Sequence, residues 1–158
     1  MTTQTPEAVL QLDGVTLTAK LGGLPVAALR ELTLSIGRGR VLGVVGESGA
    51  GKSMLARLIS GLLPSGFTVT SGGMRFDGQD MLAMSKAKRR ALLGRKIAFI
   101  PQEPLTALNP LWTIADTFNE HLARVGVPSN ERRETARKAL ESVQLPVPAE
   151  MLDRKSVV

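Results

Sequence analysis

Residues 41–53 read Val-Leu-Gly-Val-Val-Gly-Glu-Ser-Gly-Ala-Gly-Lys-Ser, and they carry the most specific pattern in the chain. Its last eight residues match the pattern G-x-x-x-x-G-K-[ST] in full. The apolar run at 41–45 predicts a strand that is covered on both faces. After the loop, apolar residues recur at helical spacing, at Leu55, Leu58, Ile59 and Leu62. A strand, a glycine-rich loop and a helix in this order predict a polyphosphate site.

All eight loop residues are predicted to bind the nucleotide: Gly46, Glu47, Ser48, Gly49, Ala50, Gly51, Lys52 and Ser53. The glycines allow backbone conformations in which successive N–H groups approach a polyphosphate. Lys52 supplies a point charge for the phosphates, and the Ser53 hydroxyl is a candidate Mg²⁺ ligand. The helix that begins near Lys52 adds the positive end of its dipole. The motif alone does not separate ATPases, GTPases and small-molecule kinases.

A second segment, residues 97–110, reads Ile-Ala-Phe-Ile-Pro-Gln-Glu-Pro-Leu-Thr-Ala-Leu-Asn-Pro. Its first four residues predict another buried strand, which Pro101 ends. Gln102 follows directly, where its side-chain oxygen would complete the coordination of a metal ion. Gln102 is therefore the second predicted metal ligand, beside Ser53.

With the loop, this segment resembles the nucleotide-binding subunit of ABC transporters, and most closely the oligopeptide/dipeptide/nickel importer branch. The resemblance runs from about Val9 to Arg154 and includes Phe-Asp-Gly-Gln-Asp at 76–80 and Gly-Arg-Lys-Ile at 94–97. It implies an α/β fold of the P-loop NTPase type, N-terminal part only, with an antiparallel β subdomain and the start of a helical subdomain. Residues 1–103 would form the nucleotide-binding core, and residues 104–158 an incomplete helical subdomain.

The same resemblance implies ATP and Mg²⁺ as ligands, and as partners the membrane-spanning permease subunits and a second ATP-binding subunit. It implies no nucleic-acid partner, and a peripheral location on the cytoplasmic face of the inner membrane. The segment from Gln102 into the helix at 112–125 would face the permease subunits. Leu108, Pro110 and Trp112 are candidate contacts, although packing of Trp112 in the local core is an equal alternative.

The residues that hydrolyse ATP in the family are not found in this sequence. No apolar run ends in Asp-Glu, and no LSGGQ-type signature follows Arg154, so we expect a chain truncated before the signature, with no catalytic residues present. His121 is interpreted as an ordinary helix residue. We therefore expect ATP binding by the energising subunit of a peptide or nickel importer, without hydrolysis by this chain alone.

Two other interpretations stay open. In the first, the chain would be a non-hydrolysing nucleotide-dependent binding module or an inactive fragment. In the second, it would be a P-loop kinase or a nucleic-acid-binding protein.

A further departure from the family lies at Ala19, because the family usually stacks the adenine on an aromatic residue of the early strands. The chain has no Tyr, and no Phe before Phe67.

Other local patterns predict further elements. We expect a short hairpin over residues 67–76 that turns at Gly72 and Gly73, and a basic helix from about Ser85 to Leu93. Apolar residues at helical spacing then predict two amphipathic helices. The first apolar face consists of Ile114, Phe118, Leu122 and Val125, and the second of Ala136, Ala139, Leu140 and Val143. We expect Asn130 to be the N-cap of the second helix.

The composition fits one ordinary domain of 158 residues, 43% hydrophobic and 22% charged. The absence of cysteine fits a reducing compartment, and residues 1–6 predict no secretory signal. The net charge of the chain is +6, and one segment, residues 86–96, accounts for all of it. This segment has no acidic residue and contains Lys86, Lys88, Arg89, Arg90, Arg95 and Lys96. We interpret this segment as a solvated helix face, since stacking aromatic residues are scarce.

Overall fold

A computed structural model describes residues 8–103, 108–145 and 148–155. The chain divides after Leu93 into two compact units, Met1–Leu93 and Gly94–Val158, and each is described by itself. The change to helical structure predicted near Pro104 lies outside the described residues.

The first unit is built on a four-stranded antiparallel sheet of order β2-β1-β3-β4. The strands are β1 (Ala8–Leu21), β2 (Leu24–Gly37), β3 (Phe67–Phe76) and β4 (Gln79–Asp80). Gly22 and Gly23 join β1 to β2, and both have positive φ, 56° and 85°, as a tight two-residue hairpin turn requires. The predicted antiparallel β subdomain is therefore confirmed.

A bulge in β1 keeps its apolar residues on one face. Leu10, Leu12, Val15 and Leu17 are all buried, although the step from Leu12 to Val15 breaks the period of two. One additional residue at Asp13–Gly14 restores the phase, because Leu12 pairs with Leu34 and Val15 with Leu32.

The hairpin predicted within residues 67–76 is wrong, because β3 is one continuous strand that pairs with β1. Gly72 lies under the β1 bulge, where a Cβ atom would come within 2.4 Å of the carbonyl oxygen of Gly14. Gly72 thus marks a close backbone approach and not a turn.

Two short helices complete the first unit. Helix α1 (Lys52–Ser60) buries Leu55 and Leu58 and ends at Gly61, which adopts the left-handed conformation that glycine favours at the end of a helix. Ile59 is half-buried, whereas Leu62 is 46% exposed. Helix α2 (Lys86–Leu92) begins after Ser85, whose hydroxyl accepts a hydrogen bond from the Lys88 N–H. Both helices confirm their predictions to within a residue or two.

The two strands predicted at 41–45 and 97–100 do not form in the structure. Val41 is 99% exposed, Val45 95% and Ile100 87%, so neither segment is the buried strand that its composition indicates. A strand of this kind needs hydrogen-bonded neighbours on both sides and cover on both faces. Among the described residues, no strand pairs with either segment, and only Ile97 takes part in an isolated bridge.

The second unit is helical, with α3 (Ile114–Val125), α4 (Arg132–Ser142) and α5 (Pro148–Leu152). Its buried core consists of Leu122, Ala136, Leu140 and Leu152. The apolar face predicted for α3 is confirmed, since Ile114, Phe118 and Val125 pack against this core, which contains Leu122. The apolar face predicted for α4 is confirmed only in part, because Ala139 is exposed and Val143 is 64% exposed.

The two helix starts differ in their capping. At α3, the Thr113 hydroxyl accepts from the Asp116 N–H while the Asp116 carboxylate accepts from the Thr113 N–H, a reciprocal capping box. At α4 the predicted Asn130 cap is wrong. Glu131 occupies the position and makes no side-chain capping bond.

Candidate nucleotide-binding site

The loop at 46–53 holds the side chain of Lys52 against its own backbone. The Lys52 Nζ donates to the carbonyl oxygens of Gly46 and Glu47, each at 2.6 Å. An ammonium group has three N–H donors, so one donor remains for a ligand. The two carbonyls therefore fix the positive charge at the loop and leave it able to bind an anion.

Gly51 sets the position of the loop on the sheet. Its φ is +86°, and a Cβ atom there would lie 2.7 Å from Leu29 Cδ2 and 2.9 Å from the carbonyl oxygen of Ala28. Leu17 pairs with Leu29, and the next residue, Thr18, pairs with Ala27. Ala28 is therefore left without a partner in β1 and forms a bulge in β2. Only glycine permits both this conformation and this close contact with β2.

The start of helix α1 is open to an anion. Gly51 is its N-cap, no side-chain capping bond is made there, and its first turn has no acidic residue. The helix is established from its first turn, since the Leu55 N–H donates to the Gly51 carbonyl at 2.9 Å. The N–H groups of the first turn and the helix dipole both favour negative charge at this position.

Ser53 lies in the first turn of α1 and is exposed. Its hydroxyl hydrogen-bonds to no other residue in the part of the chain that the structure describes. No group of three or more His, Cys, Asp or Glu side chains that could hold a metal ion occurs among the described residues. A hydroxyl oxygen is a ligand that Mg²⁺ accepts together with phosphate oxygens and water, so Ser53 fits this ion.

The remaining predicted site residues belong to the second unit. Gln102 is exposed in the bend after Pro101, and its unit is not the one that contains Ser53. Leu108 is half-buried, Pro110 is exposed and Trp112 is 38% exposed, so Trp112 is not a fully buried core residue. His121 lies on the exposed side of α3.

The basic segment at 86–96 includes one side chain with a local structural role. Arg89 donates to the carbonyl oxygen of Met81, and its Cδ occupies the space that a Cβ of Gly61 would need. Its Nε is buried with no hydrogen-bond partner among the described residues. Helix α2 buries none of its residues, which agrees with the interpretation of a solvated face for the other side chains.

The sequence singled out Ala19, but not the two apolar residues that the sheet places next to it. Ala19 of β1 lies directly opposite Val26 of β2 and Phe67 of β3. Directly paired residues of antiparallel strands project from the same face. The signal available in the sequence was Phe67 itself, the first aromatic residue of the chain, but its partner is defined only by the strand register.

The chain is similar to known proteins in sequence and in fold. A family model described as "ABC transporter" matches residues 29–156. The dipeptide transport ATP-binding protein DppD of Escherichia coli (strain K12) is 35% identical over 147 residues, 92% of this chain and 45% of that protein. The oligopeptide transport ATP-binding protein OppD of Lactococcus lactis subsp. cremoris (strain SK11) is 34% identical over 149 residues, 94% of this chain and 44% of that protein. The chain thus spans less than half the length of these curated relatives.

Among solved structures, the fold is similar to that of the ATP-binding cassette MJ0796, a dimer in a post-hydrolysis state bound to ADP and Pi. The TM-score is 0.75 at 25% identity, covering 92% of this chain and 61% of that one. Of the helices that the structure describes here, none has the length and apolar composition needed to cross a membrane.

Proposed function

Because the chain belongs to the ABC transporter family, we propose that its residues 46–53 bind the triphosphate of ATP with Mg²⁺ and thereby energise a peptide importer. The resemblance predicted from the loop and the glutamine segment is confirmed by the match to peptide-importer ATP-binding subunits. The relatives DppD and OppD are named for dipeptide and oligopeptide transport, which supports peptides as the cargo.

The position of Lys52 is the observation that carries this proposal. Two loop carbonyls hold its ammonium group beside an uncapped helix start, so a fixed charge and free backbone donors converge on one small region. A phosphate chain is the common ligand that needs both.

For the metal, we propose that Ser53 and Gln102 contribute oxygen ligands to Mg²⁺ and that phosphate and water oxygens complete the shell. Bound Mg²⁺ would neutralise part of the phosphate charge, while Lys52 and the loop N–H groups orient the phosphate chain. The hydroxyl of Ser53 is exposed and has no hydrogen-bond partner among the described residues, which supports its role.

The partners and the organisation of the subunit are part of the same proposal. Residues 1–103 would carry the nucleotide-binding core, and residues 104–158 would begin a helical subdomain that contacts membrane-spanning permease subunits through Leu108, Pro110 and Trp112. A second ATP-binding subunit would pair with this one at the cytoplasmic face of the inner membrane, as the dimeric cassette MJ0796 supports. Residues 1–158 contain no apolar run ending in Asp-Glu, so we propose that they bind MgATP without hydrolysing it.

Isothermal calorimetry with MgATP tests the proposal on the wild-type chain, Lys52→Ala and Lys138→Ala. Lys138 is an exposed lysine of α4 with a weak ion pair to Glu134 at 3.7 Å, so it controls for the loss of one positive charge. We expect saturable binding by the wild type and by Lys138→Ala, and a loss of at least about tenfold in affinity for Lys52→Ala, since charge-assisted contacts to phosphate are strong. Binding of equal strength in all three proteins would contradict the proposed role of the loop.

A further inference from the structure

We propose that an open cavity on the solvent face of the sheet binds a dipeptide with free termini through Asp13 and Arg75. The ammonium group of the ligand would lie at the Asp13 carboxylate, and its carboxylate at the Arg75 guanidinium. The inference goes beyond the proposed function and does not require it, because the residues that line this cavity include none from the loop at 46–53.

The cavity spans strands β1, β2 and β3 and has a volume of about 460 Å³, a size typical of small-molecule sites. The residues with which it faces solvent are polar or lack a side chain: Gln11, Asp13, Thr33, Ser35, Gly73 and Arg75. Leu12 and Met74 alternate with these positions along β1 and β3 and are buried, so the cavity lies on the face opposite the core.

Two opposite charges in the cavity are available to a ligand. Asp13 lies directly opposite Gly73, and Arg75 lies directly opposite Gln11. Asp13 and Arg75 are therefore diagonal neighbours, about 7–8 Å apart. Both are exposed, and neither side chain forms an ion pair or a hydrogen bond within the part of the chain that the structure describes. A ligand that carries both charges would satisfy both residues at once.

Gly73 provides the space between the two charges. Its φ is not positive, and a Cβ atom there would meet nothing within 4 Å, so the backbone itself does not require glycine. A larger residue at this position would project beside Asp13, its direct partner in β1. The missing side chain thus leaves room for the main chain of a ligand between the carboxylate and the guanidinium.

The spacing of the two charges favours a dipeptide over a single amino acid. Two extended residues span about 7 Å, whereas one residue spans about half of that distance. The Thr33 hydroxyl accepts from the Gly14 N–H at 3.0 Å, so its own proton remains free to donate to a peptide carbonyl. Gln11 and Ser35 lie directly opposite each other and add further donors and acceptors.

An NMR titration of the 158-residue chain with alanyl-alanine tests the proposal, because the backbone amide signals of β1 and β3 report binding at the cavity. We expect saturable shifts of these signals. N-acetyl-alanyl-alanine lacks the ammonium group, alanyl-alanine amide lacks the carboxylate, and alanine is too short to reach both charges. Each of these three is expected to bind at least about fivefold more weakly than alanyl-alanine, since charge-assisted hydrogen bonds are the strong ones.

Two variants assign each charge to its partner. Asp13→Asn should weaken alanyl-alanine binding at least about fivefold but leave the affinity for the N-acetylated peptide unchanged. Arg75→Gln should weaken alanyl-alanine binding to a similar extent and leave the affinity for the amide unchanged. Arg30→Gln is the matched control, because Arg30 is an exposed arginine of β2 that does not line the cavity.

Gly73→Val fills the cavity without removing a charge and should abolish binding. Valine suits a strand, so we expect the amide spectrum to stay dispersed, which separates a blocked site from an unfolded protein. Thr68→Val is the matched control, at an exposed position of β3 outside the cavity.

Three results would overturn the site: no saturable shift in the wild type, unchanged binding by a folded Gly73→Val protein, or equal binding of the N-acetylated and unmodified peptides. None of them bears on the nucleotide site, which the calorimetry with MgATP tests separately.

Discussion

The ammonium group of Lys52 lies 2.6 Å from the carbonyl oxygen of Gly46, six residues earlier in the chain. A second carbonyl, that of Glu47, lies at the same distance, so the side chain closes the loop on itself. The charge is therefore positioned before any ligand arrives, and the loop does not have to order a flexible lysine on binding.

This contact predicts that Lys52→Arg fails to replace lysine although it keeps the charge. A guanidinium group is planar and longer, and its donors cannot direct two bonds to Gly46 and Glu47 and a third to a phosphate. We expect at least about a tenfold loss of MgATP affinity by calorimetry, close to the loss in Lys52→Ala. Lys138→Arg is the matched control, and MgATP affinity near that of the wild type in Lys52→Arg would show that charge alone is sufficient.

Gly51 and Gly49 provide a matched pair for the backbone of the loop. Both have φ near +85°, but a Cβ at Gly51 would meet Leu29 and the Ala28 carbonyl, whereas a Cβ at Gly49 meets nothing within 4 Å. Gly49→Ala should therefore destabilise the first unit by about 1–2 kcal/mol through backbone strain alone. Gly51→Ala should cost about 3 kcal/mol or more, since overpacking against β2 adds to the strain.

Urea unfolding of the two variants measures this difference. Equal losses of unfolding free energy would mean that the contact between Gly51 and β2 does not form in solution. The same proteins can be titrated with magnesium tripolyphosphate, for which we expect weaker binding by Gly51→Ala than by Gly49→Ala.

The loop and its helix were predictable because their pattern is local. A glycine at 51, a lysine at 52 and apolar residues at helical spacing specify a turn and one face of α1 without reference to the rest of the chain. The start of α2 at Ser85 is an equally local signal, and it is confirmed.

The errors arose where structure depends on distant segments. Gly72 and Gly73 have the composition of a turn, but the bulge at Asp13–Gly14, nearly sixty residues away, makes Gly72 a point of close backbone approach. The apolar run at 41–45 has the composition of a buried strand, but composition does not supply the neighbouring strands that it needs.

The ion pair between Glu134 and Arg137 on α4 predicts a pH dependence. Arg137 donates to both carboxylate oxygens of Glu134, at 2.8 and 2.7 Å, and these hydrogen bonds lower the pKa of Glu134 from 4.5 to about 2. A group whose pKa is lower in the folded state stabilises the fold above its unfolded value. This contribution is lost as the pH falls from about 4.5 to about 2.

Arg137→Gln should raise the pKa of Glu134 towards 4.5, as followed by carboxyl-carbon NMR. The variant should also lose less stability than the wild type when acidified across that window. Because the pair is exposed, the effect on unfolding should be small and should shrink further in high salt. A Glu134 pKa that stays near 2 in the variant would refute the assigned cause.

The helical core of the second unit gives a prediction that depends on burial alone. Leu152 is 1% exposed in the cluster with Leu122, Ala136 and Leu140, whereas Val143 is 64% exposed although its spacing suggested a core position. Leu152→Ala should lower the free energy of unfolding by about 2–5 kcal/mol, because it removes buried methyl groups and leaves a cavity. Val143→Ala should change it by no more than about 0.5 kcal/mol, as an exposed substitution does. Urea denaturation followed by far-ultraviolet circular dichroism measures both, and a large loss for Val143→Ala would mean that α4 turns a different face to its neighbours.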